Sequence, residues 1–417
     1  MRVARLRRAE GIRPGELTTR AHAAELDAED PLRRFRERFV LDDDVVYLNG
    51  NSLGAPPLAT LNRLWDLAAR QWATRLVRAW DEGWLELPWS VGDRLGSLLG
   101  AAPGQVVIGD STTVCFYKLA WGALELRPGR RQIITDFDNF PTDRYALEGI
   151  ARARDARISW MRCEPSLGPS AGEVAEAICE DTALVAFSHV SYRSAFIADI
   201  AAINRLAHEA GALTLWDLSH SAGAVPVELD ADGVDLAVGC TYKYLNAGPG
   251  APAYMYVRAG LLQEFSQPIW GWLGRRDPFA MEHGYEPADG IRRLLSGTPP
   301  VLGAAAVDEG VRLVGEAGMD RIRAKGVALT EYAIALVDTR LDGSGFSIAS
   351  PRESARRGAH VAVAHDDAER ICAELLERQV IVDSRAPNVI RLGLSPLTTR
   401  FVDVWDAVDA LCESVGR

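Results

Sequence analysis

Residues 240–252 read CTYKYLNAGPGAP, from Cys240 to Pro252, with Lys243 near the centre. Lys and Arg together number 46, yet lysine occurs only as Lys118, Lys243 and Lys325. Arginine stays protonated in proteins, whereas a lysine amine can lose its proton and attack a carbonyl carbon. A lysine kept in so arginine-rich a chain therefore points to Schiff-base chemistry. Lys243 follows the apolar run VDLAVGC from Val234, which reads as a buried strand. It precedes NAGPG, whose glycines and proline make a turn. Lys325, in RIRAKGVALTEYAIALV, falls on a charged amphipathic helix and reads as a solvated cation. Lys118 follows an apparent helix start, and its role stays open. A lysine at a strand end is by itself more often structural, so the case for Lys243 depends on what stands upstream.

Upstream lies ALTLWDLSHSAGAVP, from Ala212 to Pro226. A short apolar strand ends there in Asp217, and His220 opens a segment of small residues. A carboxylate and a lysine, each closing a strand, suit pyridoxal phosphate. That cofactor needs an amine to hold it and an anion beside its pyridine nitrogen, so that the protonated ring can act as an electron sink. Asp217 alone would read as a helix N-cap. Paired with Lys243, it reads as the anion.

WDLSHSAGAVP and CTYKYLNAGPGAP, taken with YLNGNSLG from Tyr47, FDNFPTDRY from Phe137 and PIWGWLG from Pro268, resemble the kynureninases. That family belongs to the fold-type-I pyridoxal phosphate enzymes, close to class V aminotransferases and cysteine desulfurases. The similarity runs from about Tyr47 to Arg391. DLSH and the lysine loop specify only the superfamily; YLNGNSLG, NFPTD and GWLG narrow it to the family.

Composition sets outer bounds. A chain of 417 residues is long enough for a large core and two or three domains. Hydrophobic content of 48% and charged content of 25% are those of an ordinary globular protein. A net charge of -11 argues against general affinity for nucleic acid or anionic membrane. The opening MRVARLRRAEGIR is basic with no apolar run behind it, so no signal peptide and a cytosolic location are expected. No apolar run approaches a membrane span. The six cysteines, Cys115, Cys163, Cys179, Cys240, Cys372 and Cys412, lack CxxC spacing, which disfavours zinc sites and disulfides. A cysteine desulfurase would need a cysteine on a mobile loop, but Cys372 and Cys412 sit in apparent amphipathic helices.

Taken in order, the residues before about Asp44 are charged and helical in tendency, an arm or part of the smaller domain. VVYLNGNSLGAPP breaks into a loop, followed by a long helical stretch, LATLNRLWDLAARQWATRLVRAW. The resemblance implies that this loop approaches the substrate, making Asn51 and Ser52 candidates for binding it. It also implies that the aromatic segment WDEGWLELPW, Trp80 to Trp89, supplies flat apolar walls for an aryl ring. VVIGDSTTVCFYKLAWGAL reads as strand, turn and helix, and the free N–H groups at such a helix start favour a phosphate. By resemblance Thr112 and Thr113 touch it, Phe140 stacks on the pyridine ring, and Asp143 lies near the ring substituents.

Strand and helix patterns then alternate through ARISWM, EVAEAICED, TALVAFSHV, DIAAINRLAHEAG and ALTLWDL. Such alternation implies a parallel sheet with helices on both faces and ligands at the carboxyl ends of its strands. Ser188, Asp217 and Lys243 all fall there. His189 and His208 read as structural. The resemblance implies a homodimer in which Trp272 and Thr298 reach the phosphate held by the neighbouring subunit. Where many relatives carry Ser-Asn, this chain has Gly297-Thr298. It also implies that Arg391, in the last strand, holds an α-carboxylate, a planar fork being suited to that task.

The expected fold is α/β of fold type I. It comprises an arm (1–45), a large pyridoxal phosphate domain with a mostly parallel sheet (46–300), and a smaller α+β domain (301–417). The expected activity is hydrolysis of the Cβ–Cγ bond of L-kynurenine or a ring-substituted kynurenine to an anthranilate and L-alanine. Lys243 holds the cofactor and moves the Cα proton, Asp217 keeps the ring charged, and Tyr242 donates a proton or anchors the phosphate. His220 and Ser188 complete the cofactor contacts, and no metal is expected. The rival readings are an aminotransferase or desulfurase on the same fold, and a non-catalytic protein that has kept it.

Overall fold

Seven of the apolar runs pair into one sheet in a computed structural model, which describes residues 18–164 and 166–415. Its strands are β1 (Val106–Gly109), β2 (Gln132–Asp136), β3 (Arg157–Met161), β4 (Thr182–Ser188), β5 (Leu213–Asp217), β6 (Leu236–Gly239) and β7 (Ala253–Val257). They lie in the order β1-β7-β6-β5-β4-β2-β3, and β7 alone runs against the others. Both faces are covered, so successive side chains alternate between two apolar layers. Leu184 and Ala186 enter one core, and Val185 and Phe187 enter the other.

The covering helices are amphipathic. Ahead of the sheet stand α1 (Arg20–Glu29), α2 (Leu58–Asp66) and α3 (Leu87–Leu98). Within it come α4 (Thr112–Glu125), α5 (Pro141–Arg154), α6 (Ala171–Ala177) and α7 (Ile200–Glu209). Helix α4 lays Phe116, Leu119, Ala120 and Ala123 on one face, and Val91 and Leu95 of α3 pack on the other. After the sheet, α8 (Val301–Ala317) and α9 (Met319–Arg340) meet at Gly318. The sequence reads them as one run belonging to the C-terminal part. Gly318, with φ of 82°, ends the first helix, and Ala304, Val307, Val311 and Val314 of α8 join the same core as α3. The third core begins with α9 and holds an antiparallel sheet of β8 (Ser347–Ile348), β9 (His360–Ala364), β10 (Asp383–Arg385) and β11 (Val389–Gly393), together with α10 (Ala368–Glu377) and α11 (Phe401–Val415).

Other expectations change. The helical stretch after Pro57 does not continue to Trp80: a π-turn spans Leu67–Trp72, and Leu76 takes φ of 53°. Lys325 is not solvated. Its side chain is buried in α9 and its amine lies 2.6 Å from the Asp30 carboxylate, also buried. The arm packs on the C-terminal core. Asp27 accepts the Phe401 and Val402 N–H groups at the start of α11, and Arg20 meets Asp406 at 2.7 Å. The basic opening segment lies outside the described residues.

Candidate active site

Three neighbouring strands end at one place. Ser188 of β4 lies beside Asp217 of β5, which lies beside Val238 of β6. The chain leaving β6 turns through Cys240 and Thr241 and presents Lys243 to a cavity of about 630 Å³, large enough for a cofactor with an amino-acid substrate. This loop is pressed from outside by GNSLG: the Gly54 N–H donates to the Tyr242 carbonyl at 2.8 Å. A Cβ on Gly54 would sit 2.2 Å from the Lys243 carbonyl oxygen, so only glycine fits.

The Lys243 amine is 5.8 Å from the centre of the Phe140 ring, 6.0 Å from that of Tyr242 and 3.4 Å from His220 Nε2. Phe140 stands at the start of α5 and lines the cavity, partly exposed, its ring meeting Tyr192 edge-on at 5.3 Å. Asn139 orients it by accepting its N–H at 2.8 Å, while the same oxygen accepts the Ser188 hydroxyl at 2.7 Å. Asp217 is buried and takes the Ser219 N–H at 2.8 Å, which fixes its carboxylate. Asp143 is also buried, and its Oδ2 has no hydrogen-bond partner. Burial first, and the Asp217 charge second, hold the Asp143 acid well above the usual carboxylate range. Burial likewise raises the Tyr242 phenol, so it keeps its proton. Burial, reinforced by the Lys243 charge, pushes His220 well below 6.5 and keeps it neutral.

The far wall is the start of α4. Ser111 caps the helix, its Oγ taking the Val114 N–H at 3.5 Å. Thr112 and Thr113 face the cavity with it, as do Gly297 and Thr298 of the same chain. Trp272 does not line it; its ring meets Phe279 edge-on at 5.7 Å. Nor do the tryptophans of the aromatic segment. The Trp84 indole donates to Gln71 at 3.0 Å and the Arg292 guanidinium covers Trp89, so they serve packing.

Arg391 is not a free fork. It is buried, with Nε donating to Asp383 Oδ1 at 2.7 Å, Nη2 donating to Asp383 Oδ2 and to Ser52 Oγ, and Nη1 donating to the Tyr192 carbonyl at 2.6 Å. Of the five N–H groups of a guanidinium, one on Nη1 stays uncommitted. Burial alone would raise the Asp383 acid, but the bonds and charge of Arg391 outweigh it and hold the acid below its usual range. Ser52 is thus tied into this ion pair, and Asn51 is buried against Gly393 with both amide atoms unpartnered. The structure adds Asp110, Ser219, Tyr192 and Asp383 to the residues read from sequence. Only Asp383 had a local signal, a charged D-x-R just ahead of an apolar strand.

The fold is shared with solved structures. A cysteine desulfurase from Thermococcus onnurineus NA1 superimposes with a TM-score of 0.80 at 18% identity, covering 92% of this chain and 98% of that one. A structure of C-DES with glycine covalently linked to its pyridoxal phosphate gives 0.80 at 18% identity, covering 91% and 98%. The cavity suits that cofactor, with an aromatic ring in its wall, a buried acid with one unpartnered oxygen, a fixed anion, an amine and a helix start. Fold and cleft together define a pyridoxal phosphate enzyme of fold type I. A kynureninase of Pseudomonas fluorescens is 42% identical over 406 residues, 96% of each chain, and residues 322–411 match the kynureninase C-terminal domain. The chain belongs to the kynureninase family.

Proposed function

We propose that this cavity hydrolyses the Cβ–Cγ bond of L-kynurenine, or of a ring-substituted kynurenine such as 3-hydroxykynurenine. Water adds its hydroxyl to the aryl ketone carbon and a proton to Cβ, so the products are an anthranilate and L-alanine. One observation carries the reading: in a chain matched to kynureninase along nearly its whole length, Lys243 shares a single cavity with a fixed, buried Asp217.

Pyridoxal phosphate, when bound, supplies a carbonyl for amines and an electron sink for the Cα electrons. The chain's residues do the rest. The N–H groups and hydroxyls of Thr112 and Thr113 hold the phosphate, Phe140 covers the ring, and Ser188, His220 and Asp143 surround its edge. Asp217 holds the proton on the ring nitrogen. Lys243 carries the cofactor, then takes the Cα proton. Tyr242, kept protonated, gives a proton. Arg391 receives the α-carboxylate beside Asn51 and Ser52, using its uncommitted Nη1 N–H or replacing Asp383.

The reading includes a homodimer. Trp65, Trp72, Trp270 and Phe279 are exposed, large apolar side chains that a second copy could cover. Trp272, outside its own cavity, would complete the phosphate site of the other subunit. The arm and C-terminal core form one unit that carries Arg391, and the sheet with α8 forms the cofactor domain. No described helix is long and apolar enough to cross a membrane, and six free cysteines fit the cytosol.

Incubation with L-kynurenine tests the activity. Anthranilate and L-alanine should appear in equal amounts without an added keto acid. A holoenzyme that releases neither would refute the reading, and a requirement for a keto acid would favour an aminotransferase.

A further inference from the structure

Lys118 is fully buried on α4 and takes no part in the chemistry above. Its amine donates to Asp110 Oδ2 at 2.6 Å and to the Leu294 carbonyl at 2.9 Å. A buried ammonium is tolerated only when paired, and here each partner belongs to a wall of the cavity. Asp110, at φ of 50°, directly precedes Ser111, Thr112 and Thr113 and lines the cavity with them. Leu294 leads into Leu295, Ser296, Gly297 and Thr298, which line it from the other side.

An acidic residue at this position is unfavourable for the ligand the helix start should take. A carboxylate next to a phosphate repels it, and the two share a partly desolvated space where water screens little. The Lys118 charge cancels that of Asp110 from behind. The thiol of Cys115, one turn into α4, feels both fields: burial raises its pKa most, the Asp110 charge adds to this, and Lys118 opposes it. We propose that Lys118 is a positioning residue for the cofactor phosphate, neutralising Asp110 at the lip of α4 and tying that lip to the Leu294–Thr298 wall. The proposal rests on the phosphate lying at the start of α4.

The test compares pyridoxal phosphate with pyridoxal, which lacks the phosphate, by fluorescence titration of the full chain freed of cofactor. The native chain should bind pyridoxal phosphate the more tightly; equal affinities would remove the phosphate site, and the proposal with it. Lys118→Met exposes the phosphate to an uncompensated carboxylate, so its affinity for pyridoxal phosphate should fall about tenfold or more, against less than about threefold for pyridoxal. Adding Asp110→Asn to Lys118→Met should return pyridoxal phosphate affinity to within about threefold of native. Asp110→Asn alone keeps two acceptors for the Lys118 amine, the amide Oδ1 and the Leu294 carbonyl, and should bind pyridoxal phosphate at least as tightly as the native chain. This last arm decides the matter if Lys118→Met does not fold. Equal losses for the two ligands in Lys118→Met would reduce Lys118 to a structural brace, and a weakened Asp110→Asn would show that Asp110 does not repel the phosphate.

Discussion

Arg391 and Asp383 hold each other through two parallel contacts, Nε to Oδ1 at 2.7 Å and Nη2 to Oδ2, on adjacent strands of the C-terminal sheet. The guanidinium that should receive a substrate carboxylate is therefore already oriented and half neutralised. Such a pair fixes the plane of the fork before substrate arrives, at the cost of competing with it. A lysine would keep the charge but lose the plane. Arg391→Lys should lower kcat/KM for kynurenine by about 2–4 kcal/mol of transition-state binding. An unchanged kcat/KM would remove Arg391 from the substrate site.

Stability should depend on the second buried lysine. Lys325 and Asp30 are both nearly inaccessible and 2.6 Å apart. Removing one partner strands the other charge, so Lys325→Met should cost about 3–5 kcal/mol in urea unfolding. Adding Asp30→Asn should recover much of this. The turnover of folded Lys325→Met should stay near native, because the pair lies outside the cavity; a large loss of turnover would point to a role in the site.

Buried histidines weaken the native state in acid. Burial lowers His189 from 6.5 to about 4, and His360 falls to about 3. Between about pH 6.5 and pH 4 the unfolded chain binds protons that the native chain refuses, so native stability is full above that window and lost as pH falls through it. The two histidines lower the denaturation midpoint between about pH 7 and pH 5, opposed by the buried Asp136 and Asp143 acids, whose raised pKa values favour native proton binding there. His189→Gln, which can keep a bond to Ser221 Oγ, should show a shallower fall. An identical slope would mean that His189 is not the group resisting protonation.

Gly297 and Thr298 line the cavity, and substrate choice is expected to depend on them. A Cβ added to Gly297 meets nothing within 4 Å, so this edge is open and carries fewer polar groups than a Ser-Asn pair. A ring hydroxyl left without a partner costs about 1–3 kcal/mol. The unsubstituted substrate should be preferred. A kcat/KM for 3-hydroxykynurenine more than about tenfold above that for kynurenine would overturn this preference.

Much of this was legible in the sequence because the central sheet is built from short apolar runs that end in polar residues. LTLWD and LAVG announce both a strand and its functional end, so Asp217 and Lys243 could be placed without tertiary knowledge. What escaped were contacts between distant segments. Nothing local to Lys325 signals Asp30, and an amphipathic pattern alone makes a buried cation look solvated. The end of α8 at Gly318 was hidden because the apolar period continues across it. The Trp80–Trp89 segment shows a related limit: aromatic spacing alone does not say which cavity or core receives the rings. Arg391 was found as a residue but not as a pair, since Asp383 reaches it only through the strand register.

All of the proposed chemistry requires Lys243 to carry the cofactor. Borohydride reduction of the holoenzyme, followed by proteolysis and mass mapping, fixes the pyridoxyl group on its attachment site. The label should be found on Lys243 alone and be absent from the Lys243→Ala chain. A label on Lys118 or Lys325, or turnover by Lys243→Ala at the native rate, would contradict it.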